Sequence, residues 1–123
     1  MLAWASRMAV ARRRRYAYFG DRLFADPAWD ILLELFLAEL EHRAVPVTDL
    51  CGASNVPDTT ILRWIRRLEI GGTIVRARDP VDKRRVFVRL SQTGCETMQR
   101  YVEEQMRALA DGSFAEATLS LMA

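Results

Sequence analysis

Two clusters of cations carry the chemistry open to this sequence. One is Arg63, Arg66 and Arg67 within the run 57–70, and the other is Lys83-Arg84-Arg85. A guanidinium fork pairs bidentately with phosphate or with the major-groove edge of guanine, whereas an ammonium acts on phosphate as a point charge. Spacing decides what the first cluster can reach. At about 100° per residue, Ile61, Trp64, Ile65 and Leu68 share one helical face. Thr59, Arg63 and Arg66 fall opposite, with Leu62 and Arg67 at the edges. One face can bury while the other presents its forks to a polyanion.

Other chemistries lack the residues they need. His42 is the single histidine. Cys51 and Cys95 stand far apart with no CxxC or Cys/His clustering, which excludes a zinc site of usual spacing and gives no disulfide framework. Cys51 reads as core. Cys95 lies near a helix start, where a thiolate would be stabilised, and is the better of the two as a redox sensor. No Ser/His/Asp arrangement, phosphate-binding glycine loop or paired acidic site is present, so neither an enzyme nor a cofactor is expected.

Charge distribution agrees with the clusters. The net charge of the 123 residues is only +2. By segment it is +5 over 1–20, −6 over 21–62, +6 over 63–90 and −3 over 91–123. Basic charge concentrated in one helix and the segment after it is the electrostatic footprint of a nucleic-acid binder. The length suits one domain. Arg7 interrupts the mildly apolar start and Arg12–Arg15 follow it, the wrong order for a signal peptide. No apolar run approaches a membrane span, and a cytoplasmic protein is expected.

The elements that must position the cations follow from local signals. Residues 2–17 read as a helix with Trp4, Met8 and Ala11 on one face. Arg12–Arg15 sweep about 300° around it, which fits a solvated helix end better than one ligand. Tyr16, Tyr18, Phe19 and Gly20 read as an irregular connection. Asp26-Pro27 starts a helix over about 28–42. Its stripe is Trp29, Leu32, Leu33, Phe36 and Leu40, but Ile31 and Leu35 lie on nearly the opposite side. Such a helix is covered on more than one side, by the chain's own termini or by a partner subunit. Val45-Pro46-Val47 is extended. Thr48–Ala53 forms a short helix with Leu50 and Cys51 inward, and Ser54-Asn55-Val56 turns into the basic helix. A short helix, a tight turn and a basic helix make a helix-turn-helix.

Gly71-Gly72 ends the basic helix. Two β-rich segments, 73–78 and 85–90, then flank the turn-forming run 79–84. Alternation sets Val86 and Val88 against Arg85, Phe87 and Arg89, and the valines are the cheaper set to bury. Ser91 caps a last helix whose face is Cys95, Met98, Tyr101, Val102 and Leu109. Asp111-Gly112 stops it, before an apolar tail (Phe114, Leu119, Leu121, Met122). The fold class is mainly α with a small β-hairpin wing.

Two motifs then resemble a known family. Asp82-x-Arg84, five residues, Leu90-Ser91, two residues and Gly94 resemble the wing signature of MarR-family winged-helix transcriptional regulators. Thr60-x-x-Arg63-x-Ile65-x-x-Leu68-Glu69, followed by Gly72, resembles that family's recognition helix and its exit into the wing. With the order of helices, the resemblance covers about 2–110. It departs at Thr73, where the family usually has an apolar residue, and at Pro57, often a serine that contacts phosphate.

The resemblance implies a single winged helix-turn-helix domain over 1–123, with a DNA-binding core at 28–94. It implies N- and C-terminal dimerisation helices at 1–20 and 95–123, a layer reduced by the short stretch after the last helix. It further implies a homodimer on a near-palindromic duplex operator, with recognition helices in successive major grooves and wings in the flanking minor grooves. A small phenolic or lipophilic effector would bind between the two layers.

The DNA contacts expected are Thr59, Thr60, Leu62, Arg63, Arg66, Arg67, Lys83, Arg84 and Arg85. Arg63 and Arg66 read bases, Thr59 touches base or phosphate, and Leu62 meets a thymine methyl. Arg67 faces phosphate or the solvent beside Glu69. Arg63 has a rival role, a salt bridge inside the domain or a brace to the wing. Asp58 caps the helix start. Arg84 enters the minor groove, oriented by an ion pair with Asp82, while Lys83 and Arg85 meet phosphate. The alternative to DNA is a winged helix used as a protein-interaction module, whose Arg63/Arg66 face would meet an acidic protein.

Overall fold

Asp26-Pro27 opens the helix on which the rest of the chain packs. The computed structural model describes residues 1–19, 26–52 and 56–110. In it the Trp29 amide donates to the Asp26 carboxylate (3.2 Å) and Pro27 takes the first helical position, where its missing N–H leaves nothing unpaired. In chain order the elements are α1 (Leu2–Phe19), α2 (Pro27–Leu40), β1 (Val45–Pro46), α3 (Val47–Gly52), α4 (Asp58–Ile70), β2 (Ile74–Arg78), β3 (Val86–Leu90) and α5 (Gln92–Ala110). Ile31, Leu33, Leu35, Phe36, Leu37 and Ala38 of α2 are all buried. Its cover comes from α1, α4, β3 and α5 of the same chain.

α2 ends at Leu40, two residues before the expected limit, because His42 turns left-handed (φ 54°). The His42 amide donates to the Glu39 carbonyl (3.3 Å) and the Arg43 amide to that of Ala38 (2.9 Å). These are the two bonds of a Schellman motif, whose left-handed position usually holds glycine.

α1 differs from expectation in three respects. It stays helical through Phe19, so the stretch expected to be irregular continues the helix. Among its described side chains Ala5 and Ala9 are buried, with Trp4 and Met8 partly covered, while Ala11 is exposed. Small side chains one turn apart let α1 lie close against α2, and that contact selects the face. Arg12 does not belong to a solvated end. Its Nε pairs with Asp30 Oδ1 of α2 at 2.6 Å, and its side chain is only 14% exposed. Gly20 lies outside the described residues.

The hairpin gains a third strand. β1 pairs antiparallel with β3 (Val45 opposite Val88, Pro46 opposite Phe87), giving the order β1-β3-β2. Proline is tolerated there because β1 is an edge. β2 and β3 run in register from Ile74–Leu90 to Arg78–Val86. Val45, Ile74, Val88 and Leu90 are buried and Arg89 is exposed, as alternation requires. Val86, at the wing end, is half-covered.

α4 begins after Pro57, whose carbonyl accepts from the Thr60 (2.9 Å) and Ile61 (3.2 Å) amides, with no side-chain cap. Asp58 therefore does not cap. It is an acid in the first turn, where the helix dipole still favours it. The turn at Ser54-Asn55 lies outside the described residues. Gly72 (φ 80°) takes the left-handed position after α4, and the Thr73 amide reaches back to the Leu68 carbonyl (3.0 Å).

Ser91 joins the wing to α5. Its Oγ accepts from the Gly94 amide (3.0 Å) and donates to the Gly72 carbonyl (2.6 Å). A Cβ on Gly94 would overlap the Thr73 carbonyl oxygen. That explains the Leu-Ser-x-x-Gly spacing: a buried anchor, a cap and a close approach. Met98 and Val102 bury as expected, but Tyr101 and Leu109 remain exposed. Tyr101 instead sets its ring edge-on to Trp29 at 5.2 Å. The expected stop at Asp111-Gly112 and the apolar tail lie outside the described residues.

Candidate nucleic-acid interface

α4 separates its two faces as its spacing requires. Ile61 and Ile65 are buried, while Thr59, Leu62, Arg63, Arg66 and Arg67 are exposed. Thr60 is half-buried, at the margin of that outer face. Arg63 and Arg66 form no ion pair among the described residues. Their guanidinium charge is thus uncompensated by a direct partner. Arg67 is not simply solvated, since its guanidinium lies over the Trp64 ring, 5.0 Å from the centroid. A stacked guanidinium keeps its N–H edges available while losing side-chain freedom.

The brace between helix and wing exists, but Arg63 does not make it. Arg76 of β2 grips Glu69 of α4 with both ends of its fork, Nη2 to Oε1 at 2.8 Å and Nε to Oε2 at 3.0 Å. The hydrogen bond from Arg76 holds the Glu69 carboxyl below its ordinary range. Sequence reading missed this pair. The available signal was an acid in the last turn of a helix and an arginine seven residues on, across a Gly-Gly turn that folds one element back onto the other.

Turn bonds order the wing tip. The Asp79 amide donates to the Arg85 carbonyl (2.9 Å) and the Arg85 amide to that of Asp82 (3.0 Å). The Asp79 carboxylate accepts from the Val81 amide (2.8 Å), and that of Asp82 accepts from the Arg84 amide (3.1 Å). Arg84 Nε lies 3.3 Å from the same Asp82 oxygen, with its side chain 93% exposed. Arg85 stacks on Phe87 at 5.1 Å. Lys83 is exposed and unpaired among the described residues. Elsewhere Arg89 pairs with Glu39 (3.1 Å), and Arg43 with Glu34 (3.0 Å) and Glu41 (3.1 Å).

Both cysteine thiols are raised above their ordinary range. Burial raises the Cys95 thiol above its ordinary range, Glu39 adds to the rise, and Arg89 opposes it only in part. The direction is opposite to the one expected from a position near the start of α5. Burial likewise raises Cys51, with Asp58 contributing. Among the described residues no group of His, Cys, Asp and Glu could hold a metal ion, and no helix is long and apolar enough to cross a membrane.

A family model described as a winged helix DNA-binding domain matches residues 29–94. Solved structures match over most of the chain. The transcriptional regulator Tm0710 from Thermotoga maritima is 19% identical with a TM-score of 0.62, over 94% of this chain and 79% of that one. MepR from S. aureus, in a DNA-binding conformation, is 18% identical with a TM-score of 0.57, over 99% of this chain and 96% of that one. These neighbours are MarR-family regulators, and at such identities they establish the fold. No curated protein is significantly similar.

Proposed function

We propose a function from one premise: the chain belongs to the winged helix DNA-binding domain family. It is a DNA-binding transcriptional regulator, and the mode of binding is our reading. α4 enters the major groove, where Arg63 and Arg66 read bases beside Thr59, Thr60 and Leu62, and Arg67 meets phosphate. The wing reaches the flanking minor groove with Arg84, held by Asp82, while Lys83 and Arg85 meet phosphate. One observation carries this. The exposed cations of α4 and of the wing tip lie on two elements that Glu69 and Arg76 tie together. A rigid pair of basic projections suits two adjacent grooves of one duplex.

Residues 28–94 form the DNA-reading core, and 1–20 with 95–123 form a homodimerisation layer for a near-palindromic operator. The exposed apolar side chains of the end helices support that layer: Leu2, Val10 and Tyr18 on α1, and Tyr101, Met106 and Leu109 on α5. A small phenolic or lipophilic effector, a cytoplasmic location and the absence of catalysis complete the reading.

Gel shift on genomic fragments tests the function. Salt-sensitive retardation is expected, and its absence at low ionic strength refutes DNA binding in favour of an acidic protein partner. Sedimentation at micromolar concentration tests the dimer, which a purely monomeric species refutes.

A further inference from the structure

We infer that Arg78 is a third anchor on DNA: a phosphate contact in the gap between the major-groove helix and the minor-groove wing tip. The inference rests on the binding mode proposed above. It begins from which cations of 63–90 the fold has already neutralised. Arg76 is taken by Glu69 and Arg89 by Glu39, while Arg84, paired with Asp82 yet almost fully exposed, already serves the wing tip. Arg78 is exposed and has no acid partner among the described residues. Its neighbour Asp79 has its carboxylate engaged by the Val81 amide. Across the ladder Arg78 faces Val86, which is apolar.

Position gives that free cation its role. Strand alternation puts Arg78 on the same sheet face as Arg76. The Arg76 guanidinium reaches Glu69 on α4, so this face of β2 looks toward the recognition helix. Arg78 stands there two residues, or about 6.5 Å, nearer the wing tip. A duplex with α4 in its major groove and the tip in the adjoining minor groove carries the phosphate backbone between those grooves across this gap. An arginine beside that backbone meets phosphate oxygens, not base edges. Its contribution is therefore independent of sequence and appears as counterion release. The two-pronged Arg76–Glu69 grip fixes β2 against α4, so Arg78 needs little reordering to arrive.

The test is fluorescence anisotropy on a labelled random-sequence duplex of about two helical turns, ~20 base pairs, titrated from about 50 to 200 mM NaCl. Compared are the parent, Arg78→Gln, Arg78→Lys and Arg89→Gln, each checked by circular dichroism. Arg78→Gln is expected to bind more weakly with a log–log salt slope shallower by about 0.9, so its deficit shrinks about 3.5-fold across that range. Arg78→Lys restores the slope. Arg89→Gln, which removes a cation committed to Glu39 on the other sheet face, leaves the slope unchanged. An Arg78→Gln slope equal to the parent's overturns the inference. So does an equal reduction in Arg89→Gln, because the effect would then follow net charge and not contact. A parent without salt-sensitive binding would instead refute the DNA reading itself, and Arg78 would fall with it.

Discussion

Gly94→Ala should destabilise the protein, although alanine is the better helix former. The new methyl would overlap the Thr73 carbonyl oxygen and lie 3.2 Å from its carbon and 3.3 Å from Ser91 Oγ. All three belong to structure that has little room to yield. The Thr73 carbonyl accepts the Ser91 amide (2.9 Å), and Ser91 Oγ caps α5 through the Gly94 amide (3.0 Å). Relief requires a backbone retreat of about 1 Å, which forfeits close contacts on both sides. Overpacking of this kind costs about 1–3 kcal/mol, and weakening the cap and one hydrogen bond adds about 1 kcal/mol each. Helix propensity returns at most about 1 kcal/mol. The balance is a loss of about 2–4 kcal/mol, or a fall in the urea midpoint of about 1–2 M at a typical slope. Urea unfolding at one fixed protein concentration reads it, with Gly52→Ala as control. A Cβ on Gly52 meets nothing within 4 Å, so that variant should match or slightly exceed the parent. A Gly94→Ala midpoint at or above the parent's, or equal shifts in both variants, would refute the steric account of the motif.

Four further outcomes follow from particular contacts. His42→Gly should stabilise by about 0.5 kcal/mol, because it relieves the left-handed backbone (φ 54°) at some cost in chain entropy; a lower melting temperature contradicts this. Arg84→Ala should weaken operator binding roughly tenfold with circular dichroism and sedimentation unchanged; parent-like affinity would remove the wing tip from the interface. Arg76 holds the Glu69 carboxyl below its ordinary range, so the folded state binds fewer protons than the unfolded state there. The stability this pair contributes is present above the ordinary carboxyl range and is lost as pH falls through the folded value. Glu69→Gln should therefore flatten the acid limb of the stability profile, and an unchanged limb would show that the pair contributes nothing. The raised Cys95 thiol should stay protonated at neutral pH and react with iodoacetamide more slowly than a free-cysteine peptide; labelling at the peptide's rate would contradict its burial.

Features governed by residues within about four positions were legible from the chain. The Asp26-Pro27 start, the two faces of α4, the stop at Gly71-Gly72 and the Ser91 cap all depend on periodicity or on one local bond. The Asp82–Arg84 pair belongs with them, since a two-residue spacing in a turn brings the side chains together. What stayed hidden was set by distant partners. Val45-Pro46 reads as an extended stretch, and only the fold lays it beside Val88 and Phe87. Arg12 reads as one of four similar arginines until α2 brings Asp30 against it. His42 carries no glycine-like signal, yet it takes the left-handed position that closes α2.

The same limit decides how the basic segment should be read. From the sequence, its cations are equivalent charges ranked by helical face and by proximity to the turn. Glu39, fifty residues before Arg89, and Glu69, seven before Arg76, remove two of them from the pool available to phosphate. Glu39 acts through long-range packing that no local pattern encodes, and Glu69 through a helix-to-strand turn whose one signal is an acid followed seven residues later by an arginine. Arg78 has the opposite history. It lies outside both clusters that spacing singles out, and it remains uncommitted because its neighbour's carboxylate closes a turn and its cross-strand partner is a valine. Net charge by segment marks the basic stretch. Finding where each acid is spent determines which arginines within it are free to bind.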